Sequence, residues 1–182
     1  YTAQFDETIN KYTVTINAAP EWYGSVDSGI VISSYWTSIT TNGNILTIWT
    51  ETIIASPETW DAQYTYTFSG WNNTCGDTIT WDCTIVAEFS TVVNEYLITF
   101  QNDNWTVLQT WMVAYGDTPV YSGSTPQKTG SIIYAYVFTG WSPTIHSVTG
   151  DQTYTAVFDR TTRKYDVTWR NIDGEVLEKD TN

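Results

Sequence analysis

Apolar and polar residues alternate with a period of two along most of the chain. Segments such as YTVTI (12–16), YTYTF (64–68) and YAYVF (134–138) alternate β-branched or aromatic residues with smaller ones. This period is typical of strands that bury one face, and no segment of helical length keeps a period of about 3.6 residues. The pattern predicts a mainly β protein.

Two interruptions of the alternation predict where strands end. Asn42-Gly43 lies between alternating residues and predicts a hairpin with a type I′ turn. Residues 116–131 contain Pro119 and Pro126, which interrupt both sheet ladders and helices. This segment is therefore predicted to be a loop with at most one short helical turn.

The chain contains an internal repeat. QYTYTFSGW (63–71) returns as IYAYVFTGW (133–141), and TIVAEFSTVVNEYLITF (84–100) returns as TYTAVFDRTTRKYDVTW (153–169). A third copy of the second motif opens the chain as YTAQFDETINKYTVTI (1–16). Self-similarity of this kind indicates tandem modules.

The equivalent tyrosines Tyr12, Tyr96 and Tyr165 mark the boundaries of the repeats. They predict four parts: 1–11 is the last strand of a preceding repeat, 12–95 is a first repeat with an extra hairpin, 96–164 is a second repeat, and 165–182 is the first hairpin of a following repeat. A small unit with few strands buries little apolar surface alone. We therefore expect neighbouring units or a covalent link to stabilise it.

The motifs of the second repeat, YLITF (96–100), VAYGDTP (113–119), YVFTGWS (136–142) and TYTAVF (153–158), resemble those of a known family. They are similar to the Listeria–Bacteroides type of surface repeat, also called the InlB B-repeat. The resemblance implies an extended array of small β-grasp-like modules, with four to five short strands each. It further implies an extracellular location on the bacterial cell surface, where such modules act as stalks, spacers or adhesive segments.

The chain has two cysteines, Cys75 and Cys83, on either side of a turn-like centre. We expect them to form a disulfide, because an exported chain meets oxidising conditions. Closing so short a loop stabilises a fold by roughly 2–3 kcal/mol. Two free thiols are the alternative, and no metal site is expected because His146 is the only histidine available to complete one.

The charge of the chain excludes several partners. Its 7 Lys and Arg residues against 20 Asp and Glu residues give a formal net charge of -13, which repels nucleic acids and anionic membrane surfaces. No run of 18 or more apolar residues occurs, and no signal peptide is recognisable. We expect no nucleic-acid partner and no direct insertion into a membrane.

The residue inventory gives little support for catalysis. His146 has no cysteine or activated serine near it in sequence, and the carboxylates are scattered over turns and strand ends. Turns such as NDN (102–104) lack the ligand spacing of an EF-hand. We expect neither enzymatic activity, nor a cofactor, nor a bound metal.

Four tryptophans occupy positions at which the matching copy has glycine. Trp36, Trp60, Trp81 and Trp105 match Gly116, Gly130, Gly150 and Gly174, in that order. By contrast Trp71 and Trp141 match each other and are expected to lie in the core. Because turns run over the surface, the four turn tryptophans should be much more exposed than these two.

Three interpretations of the four turn tryptophans remain open. The rings could form stacking platforms for sugars or anchors for a protein partner, in which case a co-planar pair of exposed rings is expected. They could fold back and cap the adjacent sheets. We favour the third interpretation, in which the gene comes from a lineage that reads UGA as glycine while this chain carries tryptophan at those codons.

The sequence therefore predicts a structural or adhesive repeat segment that assembles head to tail with further copies of the same repeat or chain. The C-terminal segment would add strands to the N-terminal region of another copy, or of the continuing chain. The predicted contact residues, on alternating faces, are Tyr1, Phe5, Tyr165, Val167 and Trp169. A host protein, a cell-surface protein or a glycan is a further candidate partner. The alternative function is a carbohydrate-binding module that uses Trp36, Trp60, Trp81 and Trp105.

Overall fold

The computed structural model describes Gln4 and residues 8–181, and the chain forms two compact units, Tyr1–Asn94 and Glu95–Asn182. No helix occurs among the described residues, which confirms the mainly β prediction. The strands of the first unit are β1 (Lys11–Ala19), β2 (Gly24–Val26), β3 (Ile30–Ser34), β4 (Thr37–Asn42), β5 (Ile45–Ile48), β6 (Glu51–Pro57), β7 (Tyr64–Asn73), β8 (Thr78–Ile79) and β9 (Cys83–Val93). Those of the second unit are β10 (Glu95–Gln101), β11 (Val107–Ala114), β12 (Tyr134–Ser142), β13 (Gln152–Thr162), β14 (Val167–Arg170) and β15 (Val176–Asp180).

Each unit contains a four-stranded mixed sheet with the same topology. The order is β3-β1-β9-β7 in the first unit and β11-β10-β13-β12 in the second. In both, the strands that come first and last in the chain order of this sheet pair in parallel at its centre, and the two outer strands pair antiparallel to them. This arrangement confirms the prediction of tandem β-grasp-like modules.

A β-bulge explains the Phe-x-Gly-Trp motif. The pairing of β7 with β9 shifts between Phe68 and Gly70, and the pairing of β12 with β13 shifts at the equivalent position. Residues three apart on a regular strand point to opposite faces, but the extra residue of a bulge brings them to the same face. The ring centroids of Phe68 and Trp71 are accordingly 5.5 Å apart, and both rings pack on the core of the first unit.

The insertion in the first unit is larger than the extra hairpin predicted from the sequence. Its strands β4, β5 and β6 join β2 and β8 in a second, five-stranded antiparallel sheet of order β2-β6-β5-β4-β8, the inserted sheet. Leu46, Ile48 and Ile53 of this sheet share one buried cluster with Val14 and Ile85 of the mixed sheet. The inserted sheet therefore covers the inner face of the mixed sheet.

The turn predicted at Asn42-Gly43 lies one residue further along the chain. Asn42 pairs with Ile45, so Gly43 and Asn44 are the two central residues of the hairpin. Gly43 has a φ of 58°, and Asn44 keeps a negative φ. A positive φ at the first central residue alone is the pattern of a type II′ turn rather than the predicted type I′ turn.

In the second unit a loop covers the inner face of the mixed sheet. Residues 116–131 form neither a strand nor a helix, as predicted. Tyr121 from this loop packs against Phe100 of β10, which lies at the centre of a buried aromatic cluster with Trp141 and Tyr154. Aromatic side chains thus cover the inner face of the mixed sheet in the second unit, whereas the inserted sheet covers it in the first.

Cys75 and Cys83 form a disulfide, as predicted, with their Cα atoms 5.2 Å apart. Both residues are buried in the core cluster of the first unit. Cys83 begins β9 of the mixed sheet, and Cys75 lies in the segment that leads to β8 of the inserted sheet. The disulfide therefore links the two layers of this unit covalently.

The hairpin of β14 and β15 repeats the geometry of the hairpin of β10 and β11. Asn102 donates its backbone N–H to the carbonyl oxygen of Thr106 at 2.8 Å, and Asn171 donates in the same way to Glu175 at 2.9 Å. The register shifts at the equivalent position in both hairpins. Residues 165–182 therefore contain a second example of the opening hairpin of a unit.

The predicted assembly residues of β14 do not alternate between its two faces, contrary to the expectation from the sequence. Because side chains alternate along a strand, Val167 and Trp169 lie on the same face of β14, not on alternating faces. Tyr165, two residues earlier, donates its hydroxyl to the carbonyl oxygen of Ile132. Tyr1 and Phe5 lie outside the described residues.

The disulfide should stabilise the first unit alone. Replacing both Cys75 and Cys83 by alanine is expected to lower the free energy of unfolding of that unit by about 2–3 kcal/mol, because the unfolded chain regains the entropy of an open loop. The second unit has no cysteine and serves as the internal control. Urea unfolding read by hydrogen exchange and mass spectrometry separates the two units, and equal loss of protection in both would contradict the expectation.

Tyr154 provides a second test of the packing. Its side chain is fully buried, and its hydroxyl has no hydrogen-bond partner among the described residues, whereas the matching residue of the first unit is the apolar Ile85. Because an unsatisfied buried hydroxyl costs about 1–3 kcal/mol, Tyr154→Phe should raise the midpoint of thermal unfolding. The matched control is Tyr121→Phe, which removes a hydroxyl that donates to Ser124 at 2.8 Å and should lower the midpoint. A drop for both variants would refute this prediction.

Candidate functional site

The four turn tryptophans are exposed, as predicted. The exposed fractions are 67% for Trp36, 72% for Trp60, 55% for Trp81 and 77% for Trp105, whereas Trp71 and Trp141 are only partly exposed and pack against the cores. Rings that lie this far in solvent do not cap a sheet. The interpretation of these four rings as sheet caps is therefore wrong.

The backbone separates these tryptophans into two kinds. Trp36 and Trp105 have φ angles of 66° and 65°, in the left-handed region, whereas Trp60 and Trp81 have negative φ angles. Sequence comparison missed Trp49, whose φ is 54° and whose ring is 77% exposed. Trp49 lies in the inserted sheet, which has no counterpart in the second unit, so the repeat offered no glycine for comparison.

Within the first unit, no ring contact joins any two of Trp36, Trp60 and Trp81 among the described residues. Trp36 contacts its neighbour Tyr35, with ring centroids 5.9 Å apart. The interpretation of these three rings and of Trp105 as a binding surface for a sugar or a protein partner stays a prediction.

The turn that carries Trp105 is tied to a second loop of the same unit. Asp103 forms an ion pair with Lys128 at 2.5 Å, and Asn102 donates its side-chain amide to the carbonyl oxygen of Gln127. The hydrogen bond that the Lys128 ammonium donates to Asp103 raises the pKa of Lys128. Asp103 is thus engaged with a cation of the chain itself, and no group of three or more potential metal ligands occurs within the described residues.

A cleft of about 520 Å³ opens on the second unit. One wall is the edge strand β11, which contributes Gln109, Trp111 and Val113 from a single face, and the other wall is the loop from Asp117 to Ser122. In the first unit the residue in register with Trp111 is Val31, which lies in the core shared with the inserted sheet. The cleft is therefore a feature of the unit without an insertion.

The walls of this cleft are held in place by packing and hydrogen bonds. The indole of Trp111 stacks on Phe100 with centroids 5.8 Å apart and an interplanar angle of 12°. The side-chain oxygen of Gln109 accepts from the backbone N–H of Ser122 at 2.9 Å, and its amide donates to Val120. A partly exposed aromatic ring beside fixed polar groups can stack against a flat or ring-shaped ligand.

Strand β14 offers a different kind of site. The opening strands β1 and β10 each pair with two strands, one antiparallel and one parallel. Among the described residues β14 pairs with β15 alone. One edge of β14 therefore presents backbone donors and acceptors to which another strand can pair.

His146, the only histidine of the chain, is engaged by its own loop and by a neighbouring ring. The Nδ1 atom of His146 lies 2.8 Å from the carbonyl oxygen of Ser147, so the backbone engages this ring nitrogen. Its ring contacts Tyr154 edge to face. These backbone and ring contacts therefore hold the His146 side chain in its loop.

No helix of the described residues has the length and apolar character needed to cross a membrane.

Comparisons with known proteins find similarity among solved structures. A scan against protein-family models finds no match, and no curated protein matches the chain. Among solved structures the chain is similar to "Streptococcal High Identity Repeats in Tandem (SHIRT) domains 3-4 from cell surface protein", with 11% identity and a TM-score of 0.42. The match covers 84% of this chain and 99% of that chain. Function is therefore inferred from the repeat and from the geometry of the described residues.

Proposed function

We propose that this chain is a structural or adhesive repeat segment, a stalk or fibre, of an extracellular protein on a bacterial cell surface. Its units assemble head to tail through pairing of β-strands. The observation that carries the proposal is the hairpin of β14 and β15, which repeats the opening of a unit but has no mixed sheet around it in the described chain. The InlB B-repeat resemblance supports the surface role.

The uncovered face of this hairpin has the composition of a core. Val167 and Trp169 correspond in the repeat to Ile98 and Phe100, both of which are fully buried in the second unit. On β14 the same positions are 45% and 56% exposed. Burying two apolar side chains of this size stabilises an association by roughly 1.5–3 kcal/mol each.

The partner that fits is a closing strand from another copy of the chain. Residues 1–5, YTAQF, match residues 154–158 of β13, YTAVF, of which Tyr154 and Thr155 pair in parallel with β10. In that pairing Phe100 lies opposite Tyr154, so the repeat places Trp169 opposite Tyr1 of the added strand. Phe5 matches Phe158, whose ring contacts Phe138 edge to face in the second unit.

Strand addition of this kind produces an open chain of molecules. The strand that is added lies at the start of the sequence, and the edge of β14 that accepts it lies near the end. The contact is therefore heterologous, and each molecule in a contact keeps one of its two surfaces for a further molecule. When the closing strand comes instead from a following repeat of the same polypeptide, the same pairing builds a continuous stalk. Both arrangements give the chain a structural role.

Association should depend on the exposed face of β14. Val167→Lys combined with Trp169→Lys is expected to weaken self-association at least about tenfold, because it removes apolar burial and places charge in the contact. Thr168→Lys is the matched control, since Thr168 lies on the opposite face of the same strand and is exposed. Concentration-dependent light scattering and sedimentation velocity measure the effect.

Two further samples sharpen this test. A peptide of residues 1–11 should bind the whole chain, and it should not bind a truncation that lacks residues 165–182. The same truncation should remain soluble and should no longer elongate. Unchanged association of the truncation would rule out strand addition at β14.

A second candidate function is binding of a neutral sugar in the cleft of the second unit. The observation that favours it is the partly exposed indole of Trp111, which is fixed on Phe100 beside the polar groups of Gln109, Asp117 and Thr118. Because the net charge of -13 repels anionic glycans, a neutral pyranose is the class of ligand that fits. This proposed site is separate from the four turn tryptophans.

Trp111→Leu should lower the affinity for a neutral glycan about tenfold or more, because it removes the stacking surface. Thr118→Val removes a hydroxyl at the rim of the cleft and tests whether polar contacts contribute to glycan binding. Thr118 lies outside the core clusters. Trp105→Ala is the control, since it removes an exposed ring outside the cleft. A glycan array followed by calorimetric titration reads the result, and equal binding by the parent and by Trp111→Leu would reject this site.

A further inference from the structure

Every non-glycine residue with a positive φ in the described chain is a tryptophan. Trp36, Trp49 and Trp105 have φ angles of 66°, 54° and 65°. In this region the Cβ atom crowds the following carbonyl oxygen, and the residues that tolerate it are glycine and, less often, asparagine and aspartate. A large aromatic side chain is among the least suitable choices for such a position.

Trp105 has a direct counterpart in the same molecule. Its backbone N–H donates to the carbonyl oxygen of Asn102 at 3.0 Å, and the N–H of Gly174 donates to Asn171 at the same distance in the hairpin of β14 and β15. The φ of Gly174 is 86°. Two turns of matching geometry therefore differ in having tryptophan or glycine at the left-handed position.

Trp36 has an equally close counterpart in the second unit. Its N–H donates to the carbonyl oxygen of Ile79 at 2.8 Å, and the N–H of Gly116 donates to Val148, the residue that matches Ile79, at the same distance. Gly116 has a φ of 87°. An added Cβ atom at Gly116 would meet nothing within 4 Å, so the requirement for glycine comes from the backbone angle and not from lack of space.

Trp49 is matched by a glycine within its own sheet. Ile48 pairs with Glu51, so Trp49 is the first central residue of a two-residue turn between β5 and β6. Gly43 holds the same position in the preceding turn, between β4 and β5, with a φ of 58°. A positive φ at this position of a two-residue hairpin turn is strongly associated with glycine.

Packing does not compensate for the strain at these positions. The three rings are between 67% and 77% exposed, and Trp36 makes the one aromatic contact recorded for the set. Trp71, Trp111 and Trp141 behave in the opposite way, because they keep negative φ angles and pack against the cores. Among these six tryptophans, positive φ thus goes with exposure and negative φ with packing, while Trp60 and Trp81 are exposed at negative φ.

We infer that positions 36, 49 and 105 are glycine in the protein that the source organism makes, and that their codons are UGA, read there as glycine. UGA and the standard tryptophan codon UGG differ only in the third base, so one change in decoding explains all three positions. The inference is independent of the proposed assembly. It removes the aromatic rings of these turns from consideration as a binding surface of the native protein.

The codons test the inference directly. The gene should carry UGA at positions 36, 49 and 105 and UGG at positions 71, 111 and 141. Peptides from the native protein that span the first three positions should have masses that match glycine. UGG at positions 36, 49 and 105 would overturn the inference.

Stability gives an independent measurement. Trp36→Gly, Trp49→Gly and Trp105→Gly should each raise the midpoint of thermal unfolding by about 2–8 °C, because each relieves a left-handed Cβ. Trp60→Gly is the matched control: it removes a ring that is 72% exposed from a residue of negative φ, and it should leave the midpoint unchanged or lower it. If the three glycine variants behave like Trp60→Gly, these positions do not require glycine and the inference fails.

Discussion

The parallel pairing of the first and last strands is the constraint on which each unit depends. β1 pairs with β9, and β10 pairs with β13, at the centre of the two mixed sheets. The two outer strands of each sheet then lie at opposite edges, so the chain between them must cross the inner face of the sheet. In the first unit that crossing contains β4, β5 and β6 of the inserted sheet, and in the second unit it is the loop of residues 116–131. The cover over the inner face therefore differs between two units that share one topology.

The difference in cover determines which unit has an open cleft beside its mixed sheet. The inserted sheet and the disulfide between Cys75 and Cys83 seal the inner face of the first unit with aliphatic side chains. The loop of the second unit seals its face with aromatic rings and leaves the cleft beside Trp111 open. An insertion that stabilises one repeat thus removes from it a cleft that the shorter repeat retains.

The sequence was informative wherever the chain could be compared with itself. The period of two predicted the strands, the repeat predicted the shared topology, and matched glycines located Trp36 and Trp105. Trp49 and the five-stranded sheet were missed, because the insertion has no second copy and short alternating segments do not reveal which strands become neighbours. The cleft beside Trp111 was missed because it depends on a side chain of β11 and on a loop of irregular structure, which periodicity does not describe.

Packing also explains why Trp71 and Trp141 could be distinguished from the turn tryptophans in the sequence. Trp71 and Trp141 follow a β-bulge that the Phe-x-Gly-Trp motif encodes, and the bulge turns both rings toward a core. The turn tryptophans lack any such motif. Their backbone angles could not be known from composition or periodicity, since the same residue occurs at positive φ in Trp105 and at negative φ in Trp60.

The central parallel pair also determines how a single unit responds to a pulling force. In the second unit the chain enters at the start of β10 and leaves β13 at its far end, and these two points lie at opposite ends of a parallel ladder. Tension along the polypeptide therefore acts along both strands in opposite directions. The hydrogen bonds between them are loaded together in shear, and none can open before the others as they would in a hairpin peeled from one end. A module of this kind transmits mechanical load through its backbone pairing.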